Sequence, residues 1–446
     1  MTPQAHTRFH WLARPGAQAP PEPWIPLSDA IYWERPSRAP DRRVLFAPAP
    51  DWADDLQRVA RAVFAADRYA NRQDSFDRWT RHIVLSVPVA DPAAWQCALP
   101  SLTAMLETVT GDRWEVCFRP ADGELIRGGP ISFPADHFAH EVALFSGGLD
   151  SLGWAVQRAT VHSPHALLLT MFEERNFGTL QDHVYDAVSS VSQRPLRRLV
   201  QSQTTRGPEG ARLRLERSTR SRGFLYAATA VHAAAAERVP VVHLPENGQL
   251  ALNPPLTAAR SASCSTRSVH PWTLHHLNRV IAEISRTEAA QNTHFTVRVE
   301  NPFATLTKGE VCAEARDAGL PQHVLEATLS CGTPPARRAG GPPLAHCGLC
   351  FPCIVRRSGL HHAFGEDRTP YAADPWNPSV RPSQLTNWHA LRRWLDTECT
   401  AQDLAADMPL PQQVRPEHLL EVVTKGREEL RALVTWADQR RARQAS

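Results

Sequence analysis

EVALFSGGLDSLGWAVQRA, residues 141–159, is the stretch on which the fold turns. Val142 to Phe145 read as a buried strand and Leu152 to Ala159 as the start of a helix, so the glycines fall at the strand-to-helix turn. Gly147 and Gly148 allow close backbone approach, and the free N–H groups of a helix start favour an anion. Ser146 and Ser151 can donate hydroxyl hydrogen bonds to phosphate oxygens, while Asp150, acceptor-only when ionised, suits a magnesium ion bridging phosphates. The loop lacks the GK[ST] ending of a nucleotide-binding P-loop. Two adjacent glycines alone fit a tight capped turn equally well.

Outward from this loop, short apolar runs alternate with helical patterns over residues 138–370: HEVALF, HALLLTMF, RGFLYAATAVHAAAAERV and VPVVHLPE. That alternation predicts a parallel sheet with helices on its faces, and ligands at the carboxyl ends of its strands. Residues 1–137 read as a small accessory α/β unit. In it, 1 to about 40 are an irregular lead-in, RRVLFAP, RHIVLSVPV and WEVCFRP are strands, and DWADDLQRVARAVFAAD and LPSLTAMLETVT are helices. Beyond a proline-rich connector, residues 371–446 carry two amphipathic helices. One presents Leu385, Trp388, Leu391 and Leu395; the other, opened by Pro416, presents Leu419, Leu420, Val423, Leu430 and Leu433.

Cys347, Cys350 and Cys353 are spaced two residues apart, and Cys331 lies upstream across a Gly/Pro-rich loop. Four thiolates in this pattern suit a closed tetrahedral zinc site, with an iron–sulfur cluster as the competing occupant. His346, next to Cys347 in the chain, is read as a bystander. Cys97, Cys117, Cys264, Cys312 and Cys399 lack such spacing and are read as small core or surface residues. Only two of the 49 basic residues are lysine, Lys308 and Lys425, and a lysine persisting amid so many arginines directs attention to Lys308 in TLTKGE.

SGGLDS resembles the SGGxDS signature of the PP-loop ATP pyrophosphatases. TLTKGE, a following SC, then CGLC with one more cysteine and an arginine, is similar to the QueC (7-cyano-7-deazaguanine synthase) family over roughly residues 140–365. The resemblance implies a parallel-sheet PP-loop core of the adenine nucleotide alpha hydrolase type. It further implies ATP on Ser146, Gly147, Gly148, Asp150 and Ser151, with Mg2+. Lys308 and Asp150 would act at the phosphates, Arg222 would contact phosphate at a helix start, and Zn2+ would sit on Cys331, Cys347, Cys350 and Cys353. The implied chemistry is adenylation of the carboxylate of a 7-deazaguanine, followed by amide formation. LPENGQLALN, with the flanking units, resembles the QueC-like QatC component of the Qat anti-phage systems. That component implies conjugation to the N-terminus of a partner protein from the same defence operon, where QueC enzymes use ammonia. Tracts matching the family's YGQRH and YPDCR are not evident in TMFEERNFGTLQDHVYD and CSTRSVHPW.

Glu246, Asn247 and Asn253 follow the strand VPVVHL, where a base edge could be read or a polar Asx-type turn could form. Arg267 and His270 are candidates for orienting a substrate carboxylate, or simply loop residues. The arginine-rich run TRGPEGARLRLERSTRSRG is a solvated segment or a lid over nucleotide. A formal charge of +3 is too small to call for nucleic acid as a direct substrate, which disfavours a PP-loop tRNA thiolase. A non-catalytic nucleotide-binding scaffold is the remaining rival. No segment approaches the roughly 20 apolar residues of a membrane span and no secretory signal is visible, so a cytoplasmic location is expected.

Overall fold

The computed structural model describes residues 6–13, 18–21, 23–28, 32–33, 45, 47–121, 138–173, 178–202, 204–205, 215–257, 267–286, 295–332 and 346–445. In chain order the first part contains β1 (Thr7–Leu12), β2 (Trp24–Ser28), β3 (Tyr32–Trp33), α1 (Asp51–Tyr69), β4 (His82–Val89), α2 (Pro92–Thr110) and β5 (Arg113–Pro120). Strands β2-β1-β4-β5 form a parallel sheet. Three strands therefore occupy the lead-in that the sequence predicted to be irregular. Phe9 and Trp11, fully buried, alternate with Arg8 and His10 as a strand requires. Because β1 pairs with β4, some 75 positions away, nothing local announces it. Of RRVLFAP only Leu45, Ala47 and Pro48 are described, and none of them is in a strand.

The second part runs β6 (Ala139–Leu144), α3 (Leu149–Ala159), β7 (Ala166–Glu173), α4 (Gly178–Val191), β8 (Leu196–Ser202), β9 (Thr204–Thr205), α5 (Arg222–Glu237), β10 (Val241–His243), α6 (Gly248–Leu252), α7 (Pro271–Ile284), β11 (Arg298–Glu300), α8 (Lys308–Asp317), α9 (Gln322–Glu326) and α10 (Phe351–Phe364). Five of these strands make a wholly parallel sheet in the order β11-β10-β6-β7-β8. The strand period of two sends Leu167, Leu169 and Met171 into the core shared with α3, α4 and α8. Leu168 and Phe172 go to the opposite face, into the core shared with α5 and α7. The chain starts in the middle at β6, winds outward to β8, then returns to β10 on the other side. Strand order reverses between β6 and β10, and in sheets of this kind the crevice at such a reversal holds the ligand.

Helix α1 packs on α5 and α2 on α7, so the N-terminal sheet and the central sheet share one hydrophobic core across a double layer of helices. A buried ionic chain crosses the same layers. Arg72 pairs with Asp112 in two hydrogen bonds of 2.8 Å, and Arg81 bridges Asp112 and Asp67. Asp67 then accepts from the amide and hydroxyl of Ser221 at 3.0 and 2.7 Å, fixing the residue just before α5. The last part adds α11 (Thr386–Asp396), α12 (Ala401–Asp407) and α13 (Pro416–Ala445), which close a third core with α6 and α10. Among the described residues no helix is long and apolar enough to cross a membrane.

Candidate functional site

The loop of residues 145–148 leaves β6 at the strand-order reversal and enters α3 with Gly148 as its N-cap. Gly147 has φ +79°, a left-handed conformation that favours glycine. A Cβ there would also press on Gln181, whose amide holds the loop by donating to the carbonyls of Ser146 (3.3 Å) and Phe172 (2.9 Å). Ser146 Oγ accepts from the Gly148 amide and lies 3.2 Å from Ser151 Oγ. The two serines, the two glycines and Asp150 are thus gathered at the start of α3, as the sequence led us to expect.

Asp150 is buried in the first turn of α3. Lys308 donates to both of its carboxylate oxygens at 2.7 Å, although 158 positions separate the two residues. Asn247 adds its backbone amide at 3.2 Å and its side-chain amide at 3.0 Å to Asp150 Oδ2. The Asn247 side chain also donates to Glu246 Oε1 (3.0 Å), while its oxygen accepts from the Leu250 amide and caps α6. Asn247 is therefore fully buried and engaged from within as the Asx-type cap. Asn301 latches the same turn, accepting from the Glu246 amide (3.1 Å) and donating to the Glu246 carbonyl (2.7 Å).

Burial alone would push the Asp150 carboxyl up, but the Lys308 ammonium and the hydrogen bonds from Glu246 and Asn247 hold it below the ordinary range. Burial and then the Asp150 charge drive Glu246 the other way, well above an ordinary glutamate. Two carboxylates facing one ammonium cannot both ionise at low cost, and of the two it is Glu246 whose surroundings favour the protonated form. An anion or a cation entering the crevice meets groups of both signs already in place.

Lys308 opens α8 behind a capping box formed by Thr307 and Glu310. Gly359 of α10 lies against it so closely that a Cβ would come within 2.5 Å of Lys308 Cγ. Arg222 opens α5. The far end of that helix, Glu237, accepts from the amide of Ala139 where β6 begins, so Arg222 stands on the side of the sheet that carries the loop. Its guanidinium lies 5.8 Å from the Tyr226 ring. Arg267 begins a short turn seated against α5, where a Cβ on Gly223 would meet Ser268 Cβ at 2.2 Å. His270 is buried as the N-cap of α7, with Nδ1 accepting from the Trp272 amide at 3.2 Å. Desolvation, then the Arg267 charge, push it down to about 3, so it is a neutral cap. Asn253 ends α6 in a left-handed conformation. Cys264, residues 174–177 and residues 206–214 of the arginine-rich run lie outside the described residues; the rest of that run is held against the N-terminal unit, with Glu216 accepting from the Arg72 amide at 3.0 Å and Arg220 donating to the Thr110 carbonyl at 2.9 Å.

Cys331, Cys347, Cys350 and Cys353 converge with every pair of sulfurs within 4.8 Å. Sγ of Cys331 is 3.9 Å from that of Cys350, and Sγ of Cys347 is 3.8 Å from that of Cys353. A tetrahedral ion with bonds of ~2.3 Å sets its sulfurs about 3.8 Å apart, so this cage could hold one such ion, as zinc is held, and is too tight for a multi-iron cluster. Amides of Leu349 and Cys350 donate to the Cys347 sulfur at 3.4 and 3.3 Å, and Gly348 makes the turn with φ +77°. Cys350 is the N-cap of α10. His346 does not join the cage. Its Nε2 accepts from the Ser330 amide at 3.2 Å, tying the Cys331 segment to the Cys347 segment.

Sequence reasoning missed Gln181, Asn301 and Glu429. The first two hold the loop and the Glu246 turn; Glu429 of α13 hydrogen-bonds the start of α8. All three act through contacts distant in sequence, for which no local pattern exists.

Comparison with known proteins agrees with part of this picture. Residues 274–364, which span Lys308 and all four cysteines, match the family model described as queuosine biosynthesis protein QueC. The 7-cyano-7-deazaguanine synthase of Pyrococcus horikoshii is 34% identical over 79 residues, which is 18% of this chain. The match spans 31% of that relative's length, so about a third of it is covered.

Proposed function

We propose that this chain uses ATP to adenylate the carboxylate of a 7-deazaguanine-type substrate and then forms a carbon–nitrogen bond. The observation that carries the reading is the buried Asp150–Lys308 pair behind a glycine loop at the reversal of strand order. A loop without its own lysine, served instead by a lysine from α8, suits charge at the α-phosphate better than transfer of the γ-phosphoryl group. The match to QueC and to the archaeal synthase supports the deazaguanine class.

In the first step a substrate carboxylate oxygen attacks the α-phosphorus and the bond to the bridging oxygen breaks. An acyl-adenylate forms and pyrophosphate leaves with the electron pair. In the second step an amine nitrogen attacks the acyl carbon, the bond to AMP breaks, and the amine proton passes to solvent. The amides of the α3 start, with Ser146 and Ser151, would hold the pyrophosphate portion. Asp150, already held by Lys308 through both oxygens, would be the carboxylate to hold magnesium if the ion binds here, with Lys308 beside it to meet phosphate charge. Zinc would hold the start of α10 and take no part in the reaction. With ATP, magnesium, 7-carboxy-7-deazaguanine and ammonia as the amine, the expected products are AMP and pyrophosphate; ADP and phosphate would contradict the reading.

The finer reading is that the nitrogen nucleophile is the N-terminal amine of a partner protein from the same defence operon, as in QatC-like proteins. What supports it is the resemblance of LPENGQLALN to that component and the presence of an added sheet layer and C-terminal helices around the central sheet. Intact-mass spectrometry of the neighbouring gene product, co-expressed with this chain, is expected to reveal a deazaguanine-sized adduct. An unmodified partner together with free nitrile or amide product would instead identify ammonia as the nucleophile.

A further inference from the structure

Helix α13 reaches the candidate site from behind. Glu429, buried, accepts from the hydroxyl of Thr307 and, at 3.0 Å, from the amide of Gly309, so one carboxylate oxygen serves each side of Lys308. Gly309 has no space for a side chain, since a Cβ would fall 2.4 Å from Glu429 Oε1 and 2.8 Å from His362 Cδ2. On its next turn the same helix touches the other arm of the site. A Cβ on Gly426 would meet Gln249 Cδ at 2.7 Å, and one on Gly248 would meet Val422 Cγ2 at 3.2 Å and the Ala304 carbonyl oxygen at 2.0 Å. Gly248 also donates its amide to the Leu306 carbonyl at 2.8 Å, which joins the Asn247 turn to the segment leading into α8.

We infer that Glu429 is a positioning residue for Lys308 and that α13 is a brace holding the two arms of the site, α6 and α8, in register on Asp150. The physical reason lies in the geometry of a helix start. Its free N–H groups need acceptors, and a carboxylate supplies two while adding a favourable charge at the positive end of the helix. With Thr307 and Gly309 fixed on either side of Lys308, the lysine backbone has no freedom to rotate, and Nζ is aimed at Asp150. The C-terminal helices thereby belong to the reactive centre and are not a detachable appendage. This inference rests on the adenylation reading above.

The test compares Glu429→Gln and Glu429→Ala with Leu430→Val, a core substitution on the same helix whose side chain is buried among the C-terminal helices. Lys308→Met is the reference for a lost lysine. In Glu429→Gln the amide oxygen can still accept from Gly309 and the amide nitrogen can donate to the Thr307 hydroxyl, so this variant removes the charge with shape unchanged, whereas Glu429→Ala removes both contacts. Each full-length variant is assayed for substrate-dependent ATP–pyrophosphate exchange and for its melting temperature. Losing a partner that orients a functional group typically costs 10- to 100-fold in activity, so Glu429→Ala should lose about that much kcat with KM for ATP nearly unchanged, and Glu429→Gln less. Leu430→Val should keep its kcat at a comparable or lower melting temperature. Full kcat in both Glu429 variants while Lys308→Met is inactive overturns the positioning role alone. Full activity in Lys308→Met overturns the reading of the site beneath it.

Discussion

A glutamate and an aspartate behave differently because of what each faces. Lys308 favours the ionised form of Asp150, whereas burial and the Asp150 charge favour the protonated form of Glu246, one hydrogen bond further from that ammonium. A carboxyl whose folded pKa is raised stabilises the protein fully below its unfolded value and loses that contribution as pH rises towards the folded value. Stability therefore falls upward from near the ordinary glutamate value of 4.5, at up to about 1.4 kcal/mol per pH unit until the raised value is passed. Glu246→Gln keeps the hydrogen bonds of the neutral acid, so denaturant unfolding at pH 5 and pH 8 should show the variant gaining on the parent as pH rises. Parallel curves would show that Glu246 is ionised after all. Ser146, Gly147, Gly148, Asp150 and Ser151 were legible because their chemistry lies within six consecutive positions. Lys308 was visible through its rarity in an arginine-rich chain. Glu429 and Asn301 were not, since a buried carboxylate or amide gives no signal until its distant partners are known.

Among the elements, α10 does two things at once. Its first turn carries Cys350 at the N-cap and Cys353 in the cage, and two turns later Gly359 meets Lys308. The cysteine cage thus anchors the helix that supports the lysine. Metal analysis of the purified chain should give about one zinc per chain, and Cys350→Ser should lose the metal and lower the melting temperature. More than one iron per chain together with inorganic sulfide would contradict the cage geometry. The long helices and the apolar strands were readable from period and composition, because packing acts on faces the sequence displays. The short strands β1 and β2 were not, because proline-rich surroundings hide a pairing that is entirely long-range. The short helix α12 and the strand β8 were likewise missed, β8 because LRRLVQS interrupts its apolar run with two arginines.

At the scale of the whole molecule, two added units press on opposite sides of one crevice. The N-terminal unit reaches it through Asp67 of α1, which holds Ser221 at the start of α5, and the C-terminal helices through Glu429 at the start of α8. Their shared cores with the central sheet explain why composition and linkers alone suggested separable units, whereas the packing joins them. The central claim is that the crevice between β6 and β10 directs a carboxylate oxygen onto the α-phosphorus of ATP. The direct measurement is to supply the deazaguanine substrate with 18O in its carboxylate, with ATP, magnesium and an amine acceptor, and to weigh the phosphorus-containing products. The account predicts one 18O atom in AMP and none in pyrophosphate. Label in inorganic phosphate, or AMP formed without label, would contradict it.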